Sequence, residues 1–217
     1  MYLPAHFEES RVDVLHALIG AHPFGALVTH GANGLDANHI PFELDTTAPS
    51  ALGILRAHVA RNNPVWQEVA AGQDVLAIFQ GAMGYISPSF YPSKQETHMQ
   101  VPTWNYLVVH AHGRITVRDD ESYVRGVVAR LTRKMEAGEP APWKMGDAPR
   151  DFIDQMLSAI VGIEIEVTRL VGKAKLSQNK AEVDRIGAID GVRARDTDHA
   201  RALADAMTAT MNEAKRS

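Results

Sequence analysis

The run from Trp104 to Val117 alternates apolar and polar side chains, and it constrains the chain more than any other segment. Leu107, Val109, Ala111, Ile115 and Val117 fall on one side, and Trp104, Tyr106, His110, His112, Arg114 and Thr116 on the other. Successive side chains of a strand point to opposite faces, so this run predicts a long strand with one core-facing side. A strand needs neighbours, and the rest of the chain supplies them. Gly25–His30, Leu35–Leu44, Leu52–Ala60, Val75–Phe79 and Val161–Leu170 all read as strands, the first two joined by a tight turn at Asn33-Gly34.

Helical spacing marks the remaining segments. Ser10 is a plausible N-cap for Val12, Leu15, Leu18 and Ile19, and His22-Pro23 ends that helix because proline disfavours helical geometry in the residue before it. Asn63-Pro64 opens a short helix with Val65, Trp66 and Val69. Glu121–Ala137 and Ala148–Ser158 form two more, separated by Pro140-Ala141-Pro142-Trp143. The tail from Thr197 to Lys215 carries Ala200, Leu203, Met207, Met211 and Ala214 on one stripe. Hairpin-joined strands with helices at the edges imply an α+β fold built on an antiparallel barrel. No GxGxxG follows a strand and no Walker loop occurs, which argues against a Rossmann crevice.

Composition narrows the function classes. The chain has 217 residues with 45% hydrophobic and 22% charged side chains, ordinary for a folded domain. No apolar run approaches the ~20 residues of a membrane span, and the N-terminus lacks a secretory pattern, so a cytoplasmic location is expected. Zero cysteines exclude disulfides, thiolate metal sites and a cysteine nucleophile. A formal charge of −4 without a basic arm argues against direct DNA contact, and Arg125, Arg130, Arg133 and Lys134 read as a solvated helix face.

Four segments could carry chemistry. Gln80 to Tyr106 reads as loop-rich, and within it Gln80–Pro92 holds two glycines, two prolines and three aromatic rings. That composition serves equally as a wall for a planar ligand or as a corner packed by its own rings. Val101–Tyr106 follows, where Trp104 and Tyr106 share a face and Asn105 offers an amide to a ligand; barrel packing explains the same residues. At Arg61-Asn62-Asn63 a strand gives way to a helix, which suits a phosphate or, equally, a helix cap. Gly172–Lys180 supplies Lys173, Lys175 and Gln178 just past the last strand, fit for an anion or for a solvated connection. Ten histidines are present, and His110 with His112 could offer two ligands to one ion, but no HExxH or neighbouring carboxylate completes a set, so no metal is expected.

Together these segments resemble one family. The residues that carry the likeness are Met1–Phe7, His39-Ile40-Pro41, His58–Trp66, Ala77–Gly81, Tyr85–Tyr91, Val101–Tyr106, Val161–Glu166 and Lys175–Asn179. In this order and density they resemble the PaiB family, the FMN-binding negative transcriptional regulators, to about residue 190. Two departures stand out: Phe90 replaces an expected tryptophan, and Lys94–Gln100 looks like an insertion.

The resemblance implies a split β-barrel like that of pyridoxamine-phosphate oxidases, with peripheral helices, holding FMN at the interface of a homodimer. It implies a barrel domain over residues 1–180 and a helical tail over 181–217, packed on the barrel or on the partner subunit. By position, His58, Arg61, Asn62 and Asn63 are candidates for a phosphate cradle. Gln80 is placed at the isoalloxazine edge, with Trp104 and Tyr106 flanking the ring. Lys175 and Gln178 would close the site from the partner chain, and Thr29 and His39 would line the barrel mouth. No catalytic acid or base is identified. The activity implied is that of an FMN-dependent oxidoreductase or an FMN-linked negative transcriptional regulator, with a non-catalytic regulator acting through a partner, or a haem-binding split-barrel protein, as the alternatives.

Overall fold

A computed structural model describes residues 1–214, Ala214 by its backbone alone. Eight strands are numbered in chain order: β1 (Glu8–Glu9), β2 (Phe24–Gly31), β3 (Gly34–Pro41), β4 (Glu43–Asp45), β5 (Ile54–Ala60), β6 (Asp74–Ile86), β7 (Thr103–Arg118) and β8 (Ile160–Lys175). The helices are α1 (Val12–Ala21), α2 (Val65–Glu68), α3 (Lys94–Thr97), α4 (Glu121–Met135), α5 (Arg150–Ser158), α6 (Glu182–Arg193) and α7 (Asp198–Ala214). The fold is α+β, with an antiparallel sheet ordered β3-β2-β6-β7-β8-β5-β4 and β1 on β8.

The chain divides into two compact units. The larger holds Val12–Phe79 and His110–Leu170. Within it β2 and β3 form a full hairpin from Phe24↔Pro41 to Gly31↔Gly34, and Gly34 takes a φ of +100° that the tight turn requires. β2 pairs with β6 over Ala26↔Ile78, and β5 pairs with β8 from Ile54↔Glu166 to Ala60↔Ile160. The alternation of β5 is plain: Leu55, Ala57 and Val59 are buried, while Ile54, Arg56 and His58 lie on the side that receives α4. Gly162 of β8 is small because the Tyr123 ring of α4 lies on it; a Cβ there would stand 2.6 Å from Cδ1. Asp120 caps α4, its Oδ1 accepting from Tyr123 N at 2.7 Å.

The smaller unit holds Met1–Arg11, Gln80–Val109 and the chain from Val171. Its core gathers Ile86, Tyr91, Leu176, Ala188, Ile189, Val192, Leu203, Ala204 and Met207. The expected tail stripe is therefore buried on α6 and on the strand ends of its own chain, Ala200, Leu203 and Met207 being enclosed and Met211 packed against them. The expected continuation of the stripe to Ala214 and of the helix to Lys215 lies outside the described residues. Residues 87–100 are fastened to α6 by the buried Asp184 carboxylate. It accepts from Ser93 N at 3.0 Å, from Ser93 Oγ at 2.7 Å and from Gln100 Nε2 at 3.2 Å.

Several boundaries differ from the sequence reading. Gln80–Ile86 continues β6 instead of opening a loop; Gly81 and Gly84 masked it, and Gly84 is needed because a Cβ there would meet Leu203 Cδ2 at 2.8 Å. β8 runs on to Lys175, so Gly172–Lys175 is strand. The strand expected to end at Leu44 breaks at Phe42, whose N–H donates to Pro23 O and whose ring packs on Phe79 at 5.4 Å. The tail contains two helices, the first marked weakly because Gly187 and Gly191 interrupt its stripe.

Those two glycines set a test. Glycine inside a helix normally costs up to ~1 kcal/mol against alanine. Here a Cβ on Gly187 would collide with the Phe90 carbonyl oxygen and stand 2.7 Å from Pro92 Cδ. Gly187→Ala should therefore lower stability, by about 1–3 kcal/mol as for other overpacked sites. Urea unfolding measures it, and an unchanged or raised midpoint would contradict this packing.

Candidate functional site

In the smaller unit the strand pleat sorts side chains between two faces. Ala82 and Ile86 of β6, Leu107 of β7 and Ala174 of β8 pack into the cluster beneath α6 and α7. The alternate residues Met83, Tyr85, Trp104, Tyr106, Lys173 and Lys175 point the other way. That second face is open: Trp104 is 55% exposed, Met83 53% and Tyr85 39%. Tyr85 and Trp104 meet edge to face with centroids 6.1 Å apart.

Two ammonium groups sit beside these rings. Lys173 is buried; its Nζ donates to the Tyr2 carbonyl at 3.0 Å and lies 5.6 Å from the Tyr2 ring centroid and 5.4 Å from that of Tyr106. Lys175 Nζ donates to Thr103 Oγ1. Burial pulls the Lys175 ammonium below the usual lysine range, Tyr106 opposes that shift, and the nearby Lys173 charge adds to it. Among the described residues neither ammonium has an ion pair. Glu8 stands opposite Lys173 in the β1–β8 ladder but is exposed and makes no bridge to it.

The other expected residues of this unit hold the strands. Gln80 Nε2 donates to Leu107 O at 2.9 Å. Gln178 accepts from Leu176 N at 2.7 Å and donates to Ala174 O, which secures the turn at Ser177, a residue with φ of +65°. Asn105, expected at a ligand edge, is fully buried on the helix side and donates to Ser177 Oγ at 2.9 Å. It shares neither Trp104's face nor its exposure. Phe90 and Tyr91 likewise form a packed corner: Phe90 lies on Gly191 and Tyr91 is buried.

The remaining candidates belong to the larger unit. Arg61 Nε donates to Ser158 O at 2.8 Å, and its two terminal nitrogens grip Asp119 at 3.0 and 2.6 Å. This pair holds the Asp119 carboxyl below its ordinary range. Asn63 Oδ1 accepts from Val65 N at 3.0 Å, a side-chain turn just before α2 whose N-cap position is Pro64, and its Nδ2 donates to Asn38 Oδ1. Asn62 is exposed, Thr29 is buried, and His39 is exposed and stacks on Phe24 at 6.5 Å. His58 is half-buried on the α4 side of β5, with Nδ1 lacking a hydrogen-bond partner. His110 and His112 stand 6.4 Å apart, and burial lowers the pKa of both.

Residues 1–169 match the family profile described as "Putative FMN-binding domain". The chain belongs to this FMN-binding family. It is 32% identical over 239 aligned positions to an uncharacterized protein of Emericella nidulans, covering 94% of this chain and 95% of the relative. The family likeness extends to the Bacillus subtilis "Protease synthase and sporulation protein PAI 2", which is 28% identical over 95% of this chain and 96% of that protein. That likeness agrees with the resemblance to PaiB proteins that the sequence motifs carry. Among solved structures, the FAD and haem binding protein from Mycobacterium smegmatis superposes with a TM-score of 0.58 at 15% identity. It covers 82% of this chain and 78% of that one, and the likeness confirms the split-barrel fold.

FMN is the cofactor of the family, and the open face of the smaller unit suits it. A flavin needs a flat apolar surface for its ring system and positive charge for its phosphate. The Tyr85, Trp104 and Tyr106 rings offer the first, and the buried Lys173 and half-buried Lys175, without a carboxylate partner among the described residues, offer the second.

His58 gives a test of the larger unit. Burial alone lowers its pKa, so the folded chain resists protonation that the unfolded chain accepts near pH 6.5. Below that pH the unfolded state binds the extra proton, and stability falls as pH drops. His58→Leu should therefore lose less stability than the parent between pH 7.5 and 5.5, read from urea midpoints at both pH values. Equal losses would show that His58 does not contribute.

Proposed function

We propose that this chain is an FMN-dependent redox protein whose cofactor rests on the open sheet face of the smaller unit. The observation that carries the reading is the pair Lys173, buried between the Tyr2 and Tyr106 rings, and Lys175, half-buried beside it, neither with a carboxylate partner among the described residues. Placing a cation out of water costs several kcal/mol unless an opposite charge compensates it. An anionic ligand would supply that charge. In this reading Trp104 and Tyr106 flank the isoalloxazine, while Lys173 and Lys175 hold the cofactor's anionic groups. Gln80 and Gln178 fix the strand ends from which these side chains project.

When bound, FMN supplies electron transfer, and the protein supplies placement, charge and exclusion of water. A second copy of the chain covering Met83, Tyr85 and Trp104 would complete that exclusion. The junction at Arg61, Asn62, Asn63 and His58 is the alternative seat for the phosphate. It would require Asp119 to yield its place on Arg61, which makes it the less economical of the two. Thr29 and His39 then serve the barrel mouth.

A regulatory role is the second reading, favoured by the name of the Bacillus subtilis relative, which refers to protease synthesis and sporulation. With a net charge of −4 the chain would act through a partner and not by gripping DNA.

The purified protein should be yellow, or become so with added FMN, and should bleach with NADPH under nitrogen. A preparation that retains no flavin once unbound FMN has been removed by gel filtration would sink the proposal. Lys175→Gln should weaken FMN binding roughly tenfold to a hundredfold, the worth of one charged hydrogen bond, with the melting temperature kept. Trp104→Ala should shift the flavin absorption band. Sedimentation at several concentrations should give a dimer; a monomer throughout would remove the second copy from the site.

A further inference from the structure

The larger unit contains a hollow that the proposed flavin site does not use. It lies between the outer face of α4 and the arch 139–145, with a volume of about 530 Å³. Drug-sized ligands occupy pockets of roughly 300–1,000 Å³. Ala129 and Ala137 form part of its floor, Pro142 and Trp143 part of its roof, and Arg133 and Lys144 flank it.

The arch is braced and does not collapse onto the helix. Trp143 N donates to Glu136 Oε2 at 2.9 Å, and Lys144 N donates to Asp147 Oδ2 at 2.8 Å. Pro140 and Pro142 stiffen it further. The opposite face of α4 is where its core residues lie, Val124, Val127 and Leu131 being buried. On the arch side α4 presents Ala129, and the turn that follows it Ala137, where larger aliphatic side chains would close the space. Trp143 is thereby left 41% exposed against a mainly apolar cleft.

Charge selects the occupant. Among the described residues neither Arg133 nor Lys144 forms an ion pair; Glu136, the one acidic group lining the hollow, keeps its charge and points one oxygen at the Trp143 N–H, so positive charge is in excess around the slot. Two free cations at the rim of an apolar slot match a ligand with a flat hydrophobic body and one anionic group. We infer that this hollow binds a small aromatic carboxylate or sulfonate, separately from the flavin.

The test uses 1-anilinonaphthalene-8-sulfonate, an aromatic anion whose emission can be excited by energy transfer from Trp143, on the full chain saturated with FMN. The expected result is saturable one-to-one binding, with the transfer signal falling in Trp143→Phe to what Trp66 and Trp104 supply. Ala129→Leu, which fills the floor, should weaken the dye about tenfold or more. The double change Arg133→Gln, Lys144→Gln should weaken it several-fold and flatten its salt dependence. Circular dichroism verifies that each variant is folded. Dye affinity unchanged in the filled and charge-neutral variants, or dye binding that never saturates, overturns the inference. The flavin spectrum is read in the same cuvette, so loss of FMN and loss of the dye are distinguished. Should no FMN bind, the same titration on the unloaded protein decides the matter independently.

Discussion

A pleated sheet has two faces, and in the smaller unit the helices α6 and α7 cover only one of them. The cover is tight, since Leu203 and Phe90 press on Gly84 and Gly191 so closely that a methyl group does not fit. Such packing fixes which residues of β6, β7 and β8 are enclosed. By the period of two it also fixes which ones remain outside. Trp104 and Lys175 owe their positions to that alternation, as Asn105 owes its burial. The open face is a by-product of how the other face was closed.

Two buried charges in this unit show different solutions to the same electrostatic problem. Asp184 receives three hydrogen bonds from Ser93 and Gln100, and the surrounding loop is organised around it. It is a structural charge with its donors in place. Lys173 has one carbonyl and two ring faces, and its neighbour Lys175 one hydroxyl. Neither arrangement supplies a full negative charge. The contrast separates a carboxylate that holds the fold together from ammonium groups held by neutral partners alone.

Much of the fold was legible because its strands follow simple patterning. β7 was readable from alternation alone, and the β2–β3 hairpin from Asn33-Gly34. Gly84 of β6 misled because it permits the close approach of Leu203 of α7, a tertiary reason invisible locally. Phe42 broke an apparently continuous strand for a similar reason. At the site, Trp104, Tyr106 and Lys175 could be nominated from residue type and resemblance. Asn105 could not be separated from them, because its burial depends on the distant Ser177 and Met207. Lys173 was noticed only as one of two lysines, since its cage includes Tyr2, remote in sequence. Arg61 looked like an anion hook, and nothing near it in the chain announced Asp119.

β6 carries a constraint on how its gene can change. Before Gln80 its enclosed residues are odd-numbered, Val75, Ala77 and Phe79; beyond it they are even-numbered, Ala82 and Ile86. Inserting or deleting one codon between Phe79 and Ala82 would keep one set enclosed and turn the other to water. Substitutions there can be absorbed singly, whereas changes of length would have to come in twos. Length variation in this lineage should therefore collect in the connections and spare the middle of this strand.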